Sequence, residues 1–442
     1  MAGLIPSLWA HGSRPGMAGG LRAFLAPIQR RARGSANGHA STVAGIPEDA
    51  PWWSSADAAS HRRALIVHAA GYPRRDLVID TEFAPALAGF DPATIRVVEL
   101  GERATIIDQD VPHQFDRADG GRLIFVASGE TAASQTRWFQ VYFGNESDRI
   151  PAKPVDRQLM LDTDSYDEDQ DAFKVTAATA TFFFQKNGAS FSSIVDRDGN
   201  DWVGYHPEPT DPDEPKSNFR GVPNFHSPEG QFHPGFAQSR TELVASGPLK
   251  VLLRSHSSTG GTWTCDTAFY PQFMTSTVTE AAANYWWLYE GTPGGEGPDH
   301  RVKPFKVVRG DGVEFGYRDD WVKTLRRNPW VAFRVPGLGS EFGRSLFVAQ
   351  HTPDWHADAY YLAEDNGGHV GPLDRGSMTV FGFGRHDRRM TLRPSQCPNR
   401  FSLGLVEPHD AASLSATVEG LFRAADVRHG ADESRALVAS PS

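Results

Sequence analysis

Arg220, Asn224, His226 and His233 stand close together in Phe219-Arg220-Gly221-Val222-Pro223-Asn224-Phe225-His226 and Phe232-His233-Pro234-Gly235. The Gly, Pro and Asn content marks this stretch as loop. A guanidinium held in such a loop grips a carboxylate through two parallel hydrogen bonds. A histidine titrating near neutral pH takes up a proton as general base. A second stretch, Tyr285-Trp286-Trp287-Leu288-Tyr289-Glu290-Gly291-Thr292-Pro293-Gly294-Gly295, sets Glu290 among aromatic rings. Desolvation by such neighbours raises a carboxyl pKa and suits a general acid, while indoles stack on sugar faces. The third group is His351, Asp354, His356, Asp358, Tyr360 and Tyr361. There Tyr360 is the expected catalytic phenol. His351, Asp354 and Tyr361 are expected substrate contacts, together with Asn224, Trp286 and Trp287.

Each group also has a plainer reading. Arg220 can pin its own loop through backbone carbonyls, and His226 and His233 can be surface residues. Glu290 can end its strand on turn amides, and Trp286 and Trp287 can be core. The donors at 351–358 have the types that hold a divalent metal, against a plain polar rim. The sequence requires no cofactor. Gly382-Phe383-Gly384 lacks the full dinucleotide pattern, and no Gly-x-Ser-x-Gly elbow occurs.

These groups predict a carbohydrate-active enzyme that cleaves glycosidic bonds in a glycan containing acidic sugars, with elimination favoured over hydrolysis. Arg220 would neutralise a uronate carboxylate and so acidify the neighbouring C–H. His226 or His233 would take that proton, and Tyr360 or Tyr361 would protonate the leaving oxygen. Hydrolysis would instead pair Glu290 with Asp354 or Asp358. Other readings are a non-catalytic glycan-binding β-sandwich and a sugar mutarotase or epimerase.

Short apolar segments separated by turn signals must position these groups, which makes the chain all-β. Segments at 63–67, 76–80, 95–100, 122–126 and 137–143 predict a small antiparallel sandwich in a domain spanning 48–150. An acidic linker is expected over 151–172, where Asp162-Thr163-Asp164-Ser165-Tyr166-Asp167-Glu168-Asp169-Gln170-Asp171 clusters like charges. A larger β-domain follows over 173–428, with strands at 180–185, 249–256, 262–270, 274–279, 285–290, 330–333, 345–351, 378–384 and 400–406. Asp196-Arg197-Asp198-Gly199 reads as a hairpin turn. Residues 411–428 read as a short C-terminal helix, and 429–442 as a disordered tail.

The 442-residue chain is 39% hydrophobic and 22% charged, with 43 Gly, 31 Pro and 11 Trp, a turn-rich β composition. Residues 1–47 hold five Arg and no Asp, Glu or Lys. They read as a flexible basic leader without the apolar core of a secretory signal. The net charge of −10 is therefore concentrated beyond that leader, and an acidic body argues against nucleic acid as partner. No apolar run is long enough to predict a membrane span. Two cysteines, Cys265 and Cys397, exclude a disulfide framework.

Strands interrupted by a long polar loop, then Ser246-Gly247-Pro248-Leu249-Lys250-Val251 and Trp287-Leu288-Tyr289-Glu290-Gly291, resemble the galactose-mutarotase-like β-supersandwich over residues 173–410. That resemblance implies a large β-supersandwich following the small N-terminal sandwich. It also implies a fold found in mutarotases and in domains of polysaccharide lyases and glycoside hydrolases.

Overall fold

Alternating apolar and polar residues give a strand one buried and one wet face, and sheets of such strands make up most of this chain. The computed structural model describes residues 52, 59–101, 103–148, 155–168, 170–204, 239–257, 263–364, 376–387 and 389–435, and the backbone alone of 225–227 and 230–232. The N-terminal sandwich pairs a five-stranded sheet with a three-stranded one. Leu65, Val67, Ile79, Val97, Phe125, Phe139 and Phe143 fill the space between them.

The strand completing the five-stranded sheet comes from the far end of the chain. Asp426–Ser434 pairs antiparallel with His61–His68. The expected tail from 429 is thus a strand for its first six residues, and the helix stops earlier than expected, at Ala411–Phe422. Side chains alternate in exposure over 426–429 and again over 430–433, on either side of a register shift, a pattern too polar to distinguish from a tail without its partner strand.

The acidic linker is corrected in the same way. Met160–Asp167 and Gln170–Thr176 form a hairpin. Asp162 and Asp164 fall on the exposed positions of an edge strand that alternates residue by residue, so the acids repel into solvent without breaking the strand.

A nine-stranded sheet forms the body of the rest, running in order Ser239–Ser246, Val251–Ser257, Trp263–Phe269, Met274–Ala281, Asn399–Val406, Arg344–Gln350, Trp330–Val335, Lys306–Arg309 and Glu314–Gly316. One face packs on two four-stranded sheets through a core that includes Phe182, Phe191, Phe269, Trp287, Tyr289, Phe333, Phe381 and Phe401. The other face is covered in part by the helix, whose Leu414, Val418 and Phe422 recur every fourth residue and meet Trp330, Phe347 and Ala349. Asp410 caps the helix, accepting from the Ser413 amide at 2.7 Å. At the other end the buried Arg74 guanidinium donates to the carbonyls of Gly420, Arg423 and Ala424. A Cβ at Gly420 would stand 2.4 Å from the Pro73 carbonyl oxygen, so only glycine allows this approach. Among the described residues no helix is long and apolar enough to cross a membrane.

Candidate functional site

The four-stranded sheet ordered Trp287–Gly291, Ser377–Phe383, Asp358–Glu364, Trp321–Lys323 decides which candidate residues meet. Its register pairs Tyr289 with Phe381 and Phe381 with Tyr360, and Trp287 with Phe383. These rings point into the core. The neighbouring register row pairs Glu290 with Val380 and Val380 with Tyr361. Successive side chains point to opposite faces, so Glu290, Val380 and Tyr361 form one row on the outer face. Glu290 and Tyr361 stand two strand spacings apart, about 10 Å between backbones. Ala363, Met378 and Val380 make the apolar floor beside them, with Tyr361 packed against it.

Arg385 completes this face. Its Nη2 donates to the Tyr361 hydroxyl at 2.6 Å, and its guanidinium carbon lies 4.6 Å from the Tyr361 ring centroid and 5.0 Å from that of Trp286. A guanidinium between two aromatic faces keeps its donors in a fixed plane. The approach depends on Gly382, where a Cβ would stand 2.2 Å from Leu288 Cδ2 and 3.1 Å from Arg385 Cβ. Glu290 is buried at 5% exposure. The face therefore holds a carboxylate, a phenol and a guanidinium over an apolar floor. Proton transfer at one end and charge stabilisation at the other are the chemistry such a set can perform.

Of the expected site residues, Glu290, Trp286 and Tyr361 share this face, Trp286 and Tyr361 against Arg385 and Glu290 two strands from Tyr361 on its row. Trp287 and Tyr360 do not. Trp287 stacks on Phe401 at 5.0 Å in the core, and the Tyr360 hydroxyl donates to the Tyr317 carbonyl. Tyr360 as catalytic phenol is thus corrected to a core residue, one position out of phase with the outer face. Arg220 and Asn224 lie outside the described residues, as do His233 and the side chain of His226. Arg385 was not anticipated. Its signal in the sequence is an arginine directly following the apolar strand end Phe381-Gly382-Phe383-Gly384.

The third group disperses. His351 shares a 2.7 Å hydrogen bond with Ser402 and meets Phe422 edge-on. Asp354 accepts from Gln350, Gln396 and the His356 amide. Asp358 accepts from the Leu325 and Gly384 amides, at 3.0 and 3.1 Å. These donors do not converge on one point, and among the described residues no group of three or more His, Cys, Asp or Glu is placed to hold a metal ion. Cys265 and Cys397 are free thiols.

Burial sets the ionisation of two of these groups in opposite directions. It pushes the Asp358 carboxyl up to about 8, and it lowers His351 to about 3, helped by Arg400 and Arg423. Folding therefore keeps a proton on Asp358 that the unfolded chain releases above about pH 4, and the contribution is lost as pH rises towards 8. For His351 the unfolded chain binds the proton below about pH 6.5, so stability falls as pH drops from there towards 3. Between about pH 4 and 6.5 the two slopes oppose each other, one proton each, so wild-type denaturant midpoints are expected to stay level there and to fall from 6.5 to 8. His351→Gln should leave midpoints that fall all the way from pH 4 to 8, and Asp358→Asn should leave midpoints that rise from pH 4 to 6.5 and then level off. An unchanged pH profile in either variant would contradict that assignment.

A separate cleft of about 980 Å³ opens between the helix and the far face of the nine-stranded sheet, lined by Arg74, Asp80, Tyr270, His351, Arg400 and Arg423 among others. Several of its charges are engaged. Asp80 accepts from Lys250, Arg122 and Tyr270, and Arg74 caps the helix as described above.

No family model matches the sequence, and no curated protein matches it. The chain is similar to solved structures of the galactose-mutarotase-like kind. A galactose mutarotase-like protein from Lactobacillus casei ATCC 334 shares 9% identity at a TM-score of 0.32, over 52% of this chain and 98% of its own. The structure of HI1317 shares 12% identity at a TM-score of 0.34, over 57% of this chain and 98% of its own.

Proposed function

We propose that this chain is a carbohydrate-active enzyme that cleaves a uronate-containing glycan by elimination on the outer face of the four-stranded sheet. The observation that carries the reading is the row Glu290–Val380–Tyr361 with Arg385 held between Trp286 and Tyr361. Arg385 pairs with the uronate carboxylate and, through its bond to the phenol oxygen, steadies negative charge there. Glu290 takes the proton on the carbon next to the carboxylate. That C–H electron pair becomes the new C=C bond, the C–O bond to the leaving sugar breaks, and Tyr361 gives its proton to the departing oxygen. Arg220, Asn224, His226 and His233 keep their expected roles as contributions from the 220–233 stretch, with either histidine a further candidate base.

Hydrolysis by paired carboxylates is the weaker reading. Asp354 and Asp358, the partners it needs, are spent on amides and side-chain amides, and the row opposite Glu290 presents a phenol. The test is incubation of the purified chain with polygalacturonate, alginate and hyaluronan, following ultraviolet absorbance of an unsaturated uronate and reducing ends together. Elimination raises both. Reducing ends alone would sink it in favour of hydrolysis. Silence with all three polymers, alongside mutarotation of a free aldose, would replace it with single-sugar chemistry.

A further inference from the structure

The cleft beside the helix holds two cations that the fold itself does not answer. Most charges along it are engaged. Arg74 caps the helix, Asp80 is held by Lys250 and Arg122, and Arg197 and Arg344 both hold Glu407. Arg75 stands 3.8 Å from Asp76 and pairs in register with Glu130. Arg400 and Arg423 differ. The Arg400 side chain is exposed and makes neither a hydrogen bond nor an ion pair with any described residue. Arg423 donates through Nη2 to the Arg327 carbonyl at 3.0 Å. Its ion-pair partner, Glu419, stands 3.9 Å from Nε, too far for a hydrogen bond.

Strand parity and packing bring these two arginines to one end of the cleft. Phe401 and Leu403 point into the main core, so Arg400 and Ser402 point to the helix side of the nine-stranded sheet. The His351 amide donates to the Arg400 carbonyl at 2.9 Å, and its imidazole bonds Ser402 at 2.7 Å. That ring meets Phe422 edge-on at 5.7 Å, and the Arg423 guanidinium carbon lies 4.6 Å from the Phe422 centroid. His351 therefore sits between the two arginines. Burial first, then Arg400 and Arg423, lower its pKa to about 3, so near neutral pH the imidazole adds no charge of its own. Thr275, the register partner of Ser402, also lines the cleft. A recess with two guanidinium groups, and no carboxylate in hydrogen-bond range of either, focuses positive potential.

We propose that the end of this cleft between Arg400 and Arg423 is a binding site for the oxyanion, carboxylate or phosphate, of a small acid of sugar size. Planar guanidinium donors match either group. The volume of about 980 Å³ is that of a small-molecule pocket rather than of a bare ion. The site lies on the nine-stranded sheet and stands independently of the Glu290–Tyr361 face.

The test is isothermal titration calorimetry of the full chain with galacturonate, glucose 6-phosphate and, as a neutral control, galactose. At least one of the two acids is expected to bind and galactose not to; the tighter acid identifies the source of the oxyanion. Arg400→Gln is expected to weaken that binding about ten- to hundredfold, as for a lost hydrogen bond to a charged group, and Arg400→Lys to restore part of it. Because Arg400 bonds nothing in the fold, the thermal midpoint of Arg400→Gln should equal that of wild type. Arg385→Gln, on the other face, should bind as wild type does. Affinity unchanged in Arg400→Gln, no binding of either acid, or galactose bound as tightly as the acids would each overturn the site. Loss in Arg385→Gln with Arg400→Gln unaffected would place the anion on the Glu290–Tyr361 face and overturn it as well.

Discussion

Glu290→Gln is expected to abolish turnover, lowering kcat by about 10²- to 10⁴-fold, the range for loss of a positioned proton-transfer group, while the protein still binds the glycan. Gln keeps the size and one carbonyl acceptor but cannot take a proton, so packing under this buried position is preserved and only the chemistry is removed. Two neighbouring tyrosines make the result specific. Tyr361→Phe removes the proton donor on the same row and should cost a comparable factor. Tyr360→Phe removes a hydroxyl that bonds the Tyr317 carbonyl in the core and should cost stability rather than kcat. Retention of the protein in gels containing the cleaved polymer measures binding separately. Near-normal turnover by Glu290→Gln would exclude the carboxylate as the base and move that role to the 220–233 stretch.

Arg344→Met is expected to be the most destabilising single change, by about 3–5 kcal/mol. Arg344 is 1% exposed and binds Asp196 at 2.5 Å, Asp198 at 2.9 Å and Glu407 through Nε at 2.6 Å. The methionine would fill much of the volume but leave three acids facing one another. Burial alone would raise the Asp196 carboxyl. Bonds from Asn200, Trp202 and Arg344 together hold it below the usual carboxylate range. Stability from Asp196 is therefore present above about pH 4 and is lost as pH falls through its lower folded value. The variant should show a lower denaturant midpoint at pH 7 and a smaller further loss on acidification. A midpoint within 1 kcal/mol of wild type would mean that the three acids find other partners.

The same cluster explains why the Asp196-Arg197-Asp198-Gly199 turn was legible. Asp196 accepts from the Asp198 and Asn200 amides at 2.9 Å, and Gly199 takes φ +84, so the side-chain chemistry of the turn is local. Trp286, Glu290 and Tyr361 were legible as reactive or aromatic types in strands. Asp354, expected to contact substrate, instead fixes the loop that carries Trp355. That role depends on Gln350 and Gln396, the second more than forty residues away along the chain, and local pattern contains no trace of it.

Period-two strands, turn chemistry and a capped amphipathic segment are short-range properties, so the sequence by itself determined an all-β chain with a helix near its end. It also determined which residue types were available for chemistry. Tertiary structure decided the parity of each strand. Trp286 or Trp287, and Tyr360 or Tyr361, differ by one position, and one position turns a side chain from the core to the outer face. Which member faces out depends on the sheet packed against the strand, a partner contributed by distant segments. Long-range pairing likewise made strands of the acidic segment at 160–176 and of Asp426–Ser434, whose local composition is too polar to hold a strand without the neighbours that supply its hydrogen bonds.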